Sequence, residues 1–300
     1  MTDPFLGRPG LGCGNERRAM HIGRKILAAA AGSALALAMA SCGGDGGGAA
    51  STTGDTITIG IKYDQPGLGQ KVGEDFKGLD VDVARYVAKE MGFEGDKVTF
   101  KETPSAQRET AIQGGQVALI FATYSITDAR KEKVSFAGPY FIAGQDLLVR
   151  SDNTDITGPD TMNGKTLCSV TGSTPAEKIK NEYATTVKLF EQDTYSKCVE
   201  ALIGGTVDAV TTDNVILAGF AAQPQYAGKL KVVGKPFSTE RYGVGLKKGD
   251  VELCNKVNAA IEKMISDGSW QKAVDANVGP SGFKIDTSTN PPKPDPCTAA

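Results

Sequence analysis

The sequence predicts an α/β protein of two Rossmann-like lobes, with a ligand cleft between them and two crossover strands joining them. An internal echo is the first observation behind this. Residues 111–120 read AIQGGQVALI and residues 201–210 read ALIGGTVDAV, each a helix end, a Gly-Gly stop and a buried strand. Their separation is too long for a solenoid repeat and suits two similar α/β units. The second observation is the apolar run Val117–Ala122, which fits a strand buried on both faces. The third is where polar residues fall. In open α/β sheets ligands bind beyond the carboxyl ends of strands. Thr123, Ser125, Thr127 and Arg130 follow the first run, and Thr211, Thr212 and Asp213 follow the second.

Residues 1–41 read as a lipoprotein signal peptide, with Met20 a candidate true start. Arg24 and Lys25 form a basic region, Ile26 to Ala40 is apolar or small apart from Ser33, and Met39-Ala40-Ser41-Cys42 is a small-residue cleavage site ending in cysteine. The apolar run is shorter than the ~20 residues a spanning helix needs. Cys42 is therefore the expected lipid attachment point, carrying a palmitate-bearing anchor. Residues 42–55, with GGDGGGAASTTG, read as a flexible linker. The expected location is the cell membrane, lipid-anchored on its extracytoplasmic face.

Residues 56–64 alternate as a strand, with Asp64-Gln65-Pro66-Gly67 as a turn. Gly78-Leu79-Asp80 leads into an amphipathic helix with Val83, Tyr86, Val87 and Met91 on one face and Gly92 as its stop. Lys97–Glu102 is a second strand. Ser105 can cap a short helix that stops at Gly114-Gly115. Thr127 is a good N-cap for a turn that places Arg130 and Lys131 in its first residues, the wrong sign for the helix dipole. A cation there points to an anion in front of it; the alternative is a solvated basic face of Arg130, Lys131 and Lys133. Thr166–Val170 is a strand running into Thr171-Gly172-Ser173-Thr174, with Pro175 at a helix start and Thr174 and Glu177 at capping-box spacing. Free N–H groups there favour anions, although an ordinary capped helix has the same pattern. The chain crosses between lobes near 145–150 and returns near 241–247. Lobe 1 is expected over 56–147 with 243–285, and lobe 2 over 148–242. The helix 251–267 carries Leu253, Val257, Ile261 and Met264 on one stripe, which with Trp270 reads as core.

Composition narrows the function. His21 is the only histidine and lies in the leader, which argues against Ser-His-Asp or Cys-His catalysis and histidine-bound metals. No dinucleotide or phosphate-loop fingerprint occurs, so no cofactor, no metal and no catalytic residue are expected. Beyond residue 41, 28 Lys and Arg face 33 Asp and Glu, a balance that offers nothing to nucleic acid. Cys168, Cys198, Cys254 and Cys297 remain after the leader, an even number in an exported chain. Of three pairings, Cys168–Cys198 within one lobe and Cys254–Cys297, stapling the Pro-rich tail 286–300 to a helix, are favoured. A cation with hydroxyls beyond one strand and a carboxylate beyond the other complement a zwitterion: carboxylate to Arg130, ammonium to Asp213. Asp213 alone could equally cap the helix that follows it.

These residues together resemble the polar-amino-acid-binding receptors of ABC importers, bilobed extracytoplasmic proteins of the periplasmic-binding-protein type II fold. The resemblance is carried by Gly78-Leu79-Asp80-Val81-Asp82-Val83, by Arg108 with Ala111-Ile112-Gln113-Gly114, by Ser125-Ile126-Thr127-Asp128-Ala129-Arg130, by Phe136-Ala137-Gly138-Pro139-Tyr140, by Thr171-Gly172-Ser173-Thr174 and by Asp213. It spans about residues 56–280. GIKYDQPGLGQK at 60–71 and the four cysteines look closer still to glutamate-binding lipoproteins of Gram-positive bacteria. The resemblance implies that Arg130 and Ser125 hold an α-carboxylate, Asp213 the α-ammonium, and Arg108 a side-chain carboxylate. It implies that Ser173 and Thr174 close on the ligand from the other lobe and that Thr123 and Ser105 assist. Lys62 is a candidate contact, with outward exposure the alternative, and a surface bridge to Glu102 or Glu109 is the alternative for Arg108. Tyr63, Tyr124 and Tyr195 are candidates for an aromatic lid. The implied role is a monomer that captures glutamate or aspartate and delivers it to ABC permease subunits. A dehydratase-like exported enzyme and a sensor for a membrane kinase are the alternatives.

Overall fold

The computed structural model describes residues 52–299; the leader, Cys42 and most of the linker lie outside the described residues. In chain order the strands are β1 (Thr52–Thr53), β2 (Thr56–Ile61), β3 (Asp64–Gln65), β4 (Gly69–Val72), β5 (Asp75–Lys77), β6 (Val98–Glu102), β7 (Leu119–Ser125), β8 (Ser135–Ala143), β9 (Gln145–Arg150), β10 (Thr166–Val170), β11 (Lys188–Gln192), β12 (Ala209–Asp213), β13 (Leu230–Val232) and β14 (Glu240–Leu246). The helices are α1 (Leu79–Glu90), α2 (Arg108–Gln113), α3 (Asp128–Lys131), α4 (Pro175–Glu182), α5 (Tyr195–Ile203), α6 (Asn214–Ala221), α7 (Val251–Ser266) and α8 (Ser269–Asn277).

Two main sheets result. One has the order β1-β2-β7-β14-β8, with β6 also on β2; the other has the order β11-β10-β12-β9-β13. The chain leaves the first sheet after Ala143 and enters the second at Gln145, then returns at Glu240. These are the two crossovers. In each sheet the central strands are parallel neighbours, β2 with β7 and β10 with β12, as helical crossover connections require.

The echo in sequence is an echo in geometry. Gly115 and Gly205 take left-handed φ values of 64° and 74°, which a side chain would resist. The residues after them donate back into the helix, Gln116 N to Ala111 O and Thr206 N to Ala201 O, both at 2.9 Å. The chain then enters the sheet through Ala118 N to Thr58 O and Asp208 N to Thr166 O, both at 2.8 Å.

The first core packs Ile57, Ile59 and Ile61 of β2 against Leu79, Val83 and Val87 of α1 and Val257 and Ile261 of α7. Trp270 is buried in it and donates Nε1 to Tyr140 O at 2.7 Å. On α7, Cys254, Val257, Ala260, Ile261 and Met264 are buried while Leu253 is half-buried, so the buried stripe opens at Cys254 rather than at Leu253.

Local readings of the sequence need correction where tertiary pairing overrides them. The strand expected over Val117–Ala122 runs to Ser125. Thr123 and Ser125, expected beyond the end of that strand, are buried strand residues, since β14 pairs there through Tyr242 with Ser125 and Gly243 with Tyr124. Thr211 to Asp213 likewise finish β12. Asp64 and Gln65 form a short strand against β4, leaving Pro66-Gly67 as the turn. Ser105 caps nothing; it opens a 3₁₀ turn, Ser105–Gln107. Thr174 precedes α4 but has helical backbone angles and makes no capping bond, so its hydroxyl is free for another partner. Thr127 does cap α3, accepting from Arg130 N at 3.3 Å.

Both disulfides join the favoured partners, Cys168 with Cys198 and Cys254 with Cys297. The second holds the tail along β8, the edge strand. Asn290 there accepts from Ile142 N at 2.9 Å and donates to Ile142 O at 3.0 Å, and Asp295 N donates to Gly138 O at 2.7 Å. A covered edge offers no free ladder to another chain. Replacing Cys254 and Cys297 with serine should lower stability by about 4 kcal/mol, the chain-entropy value for closing a loop of this length. Urea unfolding reads the change, and an unaltered midpoint would show that the staple adds nothing.

Candidate functional site

The ends of β7 and β12 face each other across a cleft whose walls are Ser105, Arg108, Thr123, Ser125 and Arg130 on one side. Ser173, Thr174, Pro175, Tyr195, Thr212, Asp213 and Ile216 form the other. The cavity is about 20 Å³, so the walls are closed on one another. A larger groove of about 750 Å³ runs between α1 and α7 past Met91, Phe93 and Leu253, but no buried cation or carboxylate points into it.

Arg108 is 3% exposed. Its side chain donates to Ser105 O at 3.3 Å, Ala122 O at 3.2 Å and Gly172 O at 3.5 Å, and its guanidinium lies 4.2 Å from the Tyr124 ring centre. The surface bridge to Glu102 or Glu109 is thereby ruled out. Arg130 donates to Ser125 O at 2.9 Å and Gly172 O at 3.2 Å, sits 5.0 Å from the same ring centre, and pairs through Nε with Glu109 at 3.7 Å. Glu109 also accepts the Tyr124 hydroxyl at 2.7 Å. Burial, and then Arg130 beside it, push the Arg108 pKa down to about 10. Tyr124 is thus the floor beneath both cations, not a lid.

Gly172 brings the second lobe onto the first. Its carbonyl accepts from both arginines, and a Cβ there would meet Ala106 N at 2.8 Å. Its φ of 79° is a further reason for glycine. Asp64 makes another bridge between the lobes, accepting from Ser196 N at 3.2 Å and Ser196 Oγ at 3.3 Å at the start of α5. Lys62 pairs with Asp64 at 3.9 Å and lies 6.0 Å from the Tyr195 ring centre. It is buried, which overturns the outward alternative, and burial lowers its pKa to about 8. It stands behind the cavity wall, and Tyr195 forms that wall. Tyr63, by contrast, donates to Phe100 O at 3.1 Å, away from the cleft.

Thr123 takes a φ of 45°, unusual for a β-branched residue. Asp80 holds it there. The fully buried Asp80 carboxylate accepts from Thr123 N at 2.9 Å and from the Tyr140 hydroxyl at 2.7 Å. Desolvation raises the Asp80 pKa to about 6 against those hydrogen bonds. Thr123 Oγ1 donates to Gln65 Oε1 at 3.2 Å. Asp80, Tyr140 and Gln65 were not among the expected site residues. Asp80 carried two signals, an acidic side chain on the apolar face of an amphipathic helix and its place in the 78–83 motif.

Asp213 sits before α6 but makes no capping bond; its carboxylate accepts the Tyr242 hydroxyl at 2.6 Å. The capping alternative is ruled out. Burial, and then the nearby Glu240 carboxylate, raise its pKa to about 8. Ser173 Oγ lies 3.0 Å from Ser169 Oγ, which donates to Thr211 O at 3.1 Å. The cleft therefore has a cationic end at Arg108 and Arg130 and an acidic end at Asp213. Among the described residues no cluster of His, Cys, Asp or Glu has the arrangement to hold a metal ion.

Two lobes closing on a charge-segregated cleft define a solute receptor, and comparison with known proteins agrees. The family model for bacterial extracellular solute-binding proteins, family 3, matches residues 57–280, and the chain belongs to that family. It is 48% identical to the glutamate-binding protein GluB of Corynebacterium efficiens over 87% of this chain and 94% of that one. It is 36% identical to the ABC transporter glutamine-binding protein GlnH of Bacillus subtilis over 75% of this chain and 81% of that one. Among solved structures it resembles an ancestral arginine-binding protein bound to glutamine, with a TM-score of 0.69, 34% identity, and coverage of 75% of this chain and 98% of that one.

A carboxylate pKa raised by folding means that the folded state holds its proton more tightly than the unfolded one. Between about pH 4 and pH 8 the stability of the ligand-free protein should therefore fall as pH rises. Asp213→Asn keeps an acceptor for Tyr242 and removes the titrating carboxyl. The variant should gain about 4 kcal/mol on wild type between pH 5 and pH 8 in denaturant melts, ~1.4 kcal/mol for each pH unit. Parallel curves would mean that the carboxylate is ionised throughout.

Proposed function

We propose that the protein is a lipid-anchored extracytoplasmic receptor that captures an acidic amino acid, L-glutamate or L-aspartate, and delivers it to an ABC permease. Arg130 and Ser125 take the α-carboxylate, Asp213 takes the α-ammonium, and Arg108 takes the side-chain carboxylate. Ser173 and Thr174 close over the ligand, while Thr123 and Ser105 shape the first wall. Lys62 adds positive potential from behind Tyr195.

The observation that carries the reading is the second buried arginine. One guanidinium suffices for an α-carboxylate. Among the described residues Arg108 has only carbonyl oxygens as acceptors and an aromatic face beneath it, and a buried cation without an anion is expensive. A ligand with two carboxylates neutralises both arginines. The name of the GluB relative supports glutamate, whereas the glutamine-binding relative marks the amide as the ligand to be tested against it. Lipid attachment rests on the order of basic, apolar and Met39-Ala40-Ser41-Cys42 segments at the front of the chain.

Arg108→Met should weaken glutamate by ~2–5 kcal/mol, the range for truncating one member of a buried charge pair, and weaken glutamine much less. Calorimetry on both ligands reads the difference, and equal losses would remove Arg108 from selectivity. Cys42→Ala should release the protein into the medium or leave it as uncleaved precursor; detergent partitioning like wild type would refute the anchor.

A further inference from the structure

Gln145 opens β9, the first crossover, and its main chain is tied to the second crossover. Gln145 N donates to Ser238 Oγ at 3.0 Å, and Gln145 O accepts from Phe237 N at 2.9 Å. The side chain is 1% exposed. Its Nε2 donates to Thr174 Oγ1 at 3.0 Å, but Oε1 is buried and meets no donor among the described residues. An orphaned buried acceptor is costly, and a protein retains one where a partner arrives from elsewhere.

The surroundings say what that partner is. Gln145 stands directly opposite Asp213 in the antiparallel β12–β9 pair, so both side chains leave the same face of the sheet. Thr174 and Asp213 both line the cleft. Buried Glu240 is near enough to raise the Asp213 pKa. Among the described residues the hydrogen-bond donors at these carboxylates are single hydroxyls, Tyr242 on Asp213 and Ser238 on Glu240. Asp213 makes no ion pair among the described residues. A patch of acceptors this deep, with so few donors, suits a compact cation carrying several N–H groups.

We propose that Gln145 is an ammonium-binding residue of the receptor: its Oε1 accepts one N–H of the ligand α-ammonium while Asp213 accepts another. This rests on the amino-acid reading of the cleft and deepens it. The ammonium then contacts the first crossover, which is itself hydrogen-bonded to the second, so the group common to all amino acids is read where the lobes hinge.

A cycle between protein and ligand tests it, using glutamate and 2-hydroxyglutarate, which replaces the ammonium with a hydroxyl. Calorimetric or competition titrations would compare wild type, Gln145→Met and Thr174→Val. Gln145→Met should weaken glutamate at least about tenfold and 2-hydroxyglutarate by no more than about twofold, so that the two changes are not additive. Thr174→Val removes the other partner of the amide and should affect both ligands alike. Should Gln145→Met fail to fold, Gln145→Glu keeps the acceptor and should retain the preference for glutamate over 2-hydroxyglutarate. Equal losses for both ligands in Gln145→Met, no loss for either, or a lost preference in Gln145→Glu would overturn the role. Wild type that binds no amino acid would overturn the amino-acid reading as well.

Discussion

Two guanidinium groups share one buried aromatic face, and the rest of the site is arranged around the cost of holding them there. Arg108 and Arg130 lie above Tyr124 at 4.2 and 5.0 Å from its ring centre. Like charges so close disfavour one another, which is part of why the Arg108 pKa falls. The ring attracts both, and main-chain carbonyls from Ser105, Ala122, Ser125 and Gly172 take their N–H groups. Glu109 offsets one charge from the side away from the cleft. What remains is a net positive wall at the end of β7, stiffened by the Asp80 carboxylate behind Thr123.

Closure follows from the same constraint. Gly172 reaches across from the second lobe and supplies a carbonyl to both arginines, and its lack of a side chain lets the loop approach Ala106. A carbonyl carries only a partial charge, so a carboxylate entering from solvent is a stronger acceptor for the same donors. The opposite end of the cleft has the reverse problem. Asp213 and Glu240 are buried near each other, and the Asp213 pKa is raised accordingly. A zwitterion with an additional carboxylate relieves both ends at once. A neutral or cationic side chain would leave Arg108 without an anion.

Much of this was legible in the chain. Thr166–Val170 is a strand with the bounds its composition suggests, and the paired Gly-Gly stops at 114–115 and 204–205 identify the two units. Arg108, Arg130, Ser125, Thr123 and Asp213 come together in one cleft. Less legible was anything decided by pairing between distant strands. Thr123 and Ser125 look like loop residues because they are polar, and only the partner strand β14 keeps them in the sheet. Asp80 looks like an ordinary first-turn carboxylate on α1 until β7 and Tyr140 enclose it. Gln145 and Glu240 carry no local signal, since their importance comes from the return of the second crossover beside the first.

On this reading of the site the cleft discriminates by charge, with two cations at one end and one carboxylate at the other. Calorimetric titration of residues 43–300 with the full set of amino acids tests it most directly. Glutamate should bind most tightly, aspartate next, glutamine more weakly and arginine not measurably. Arginine or glutamine binding more tightly than glutamate would contradict it.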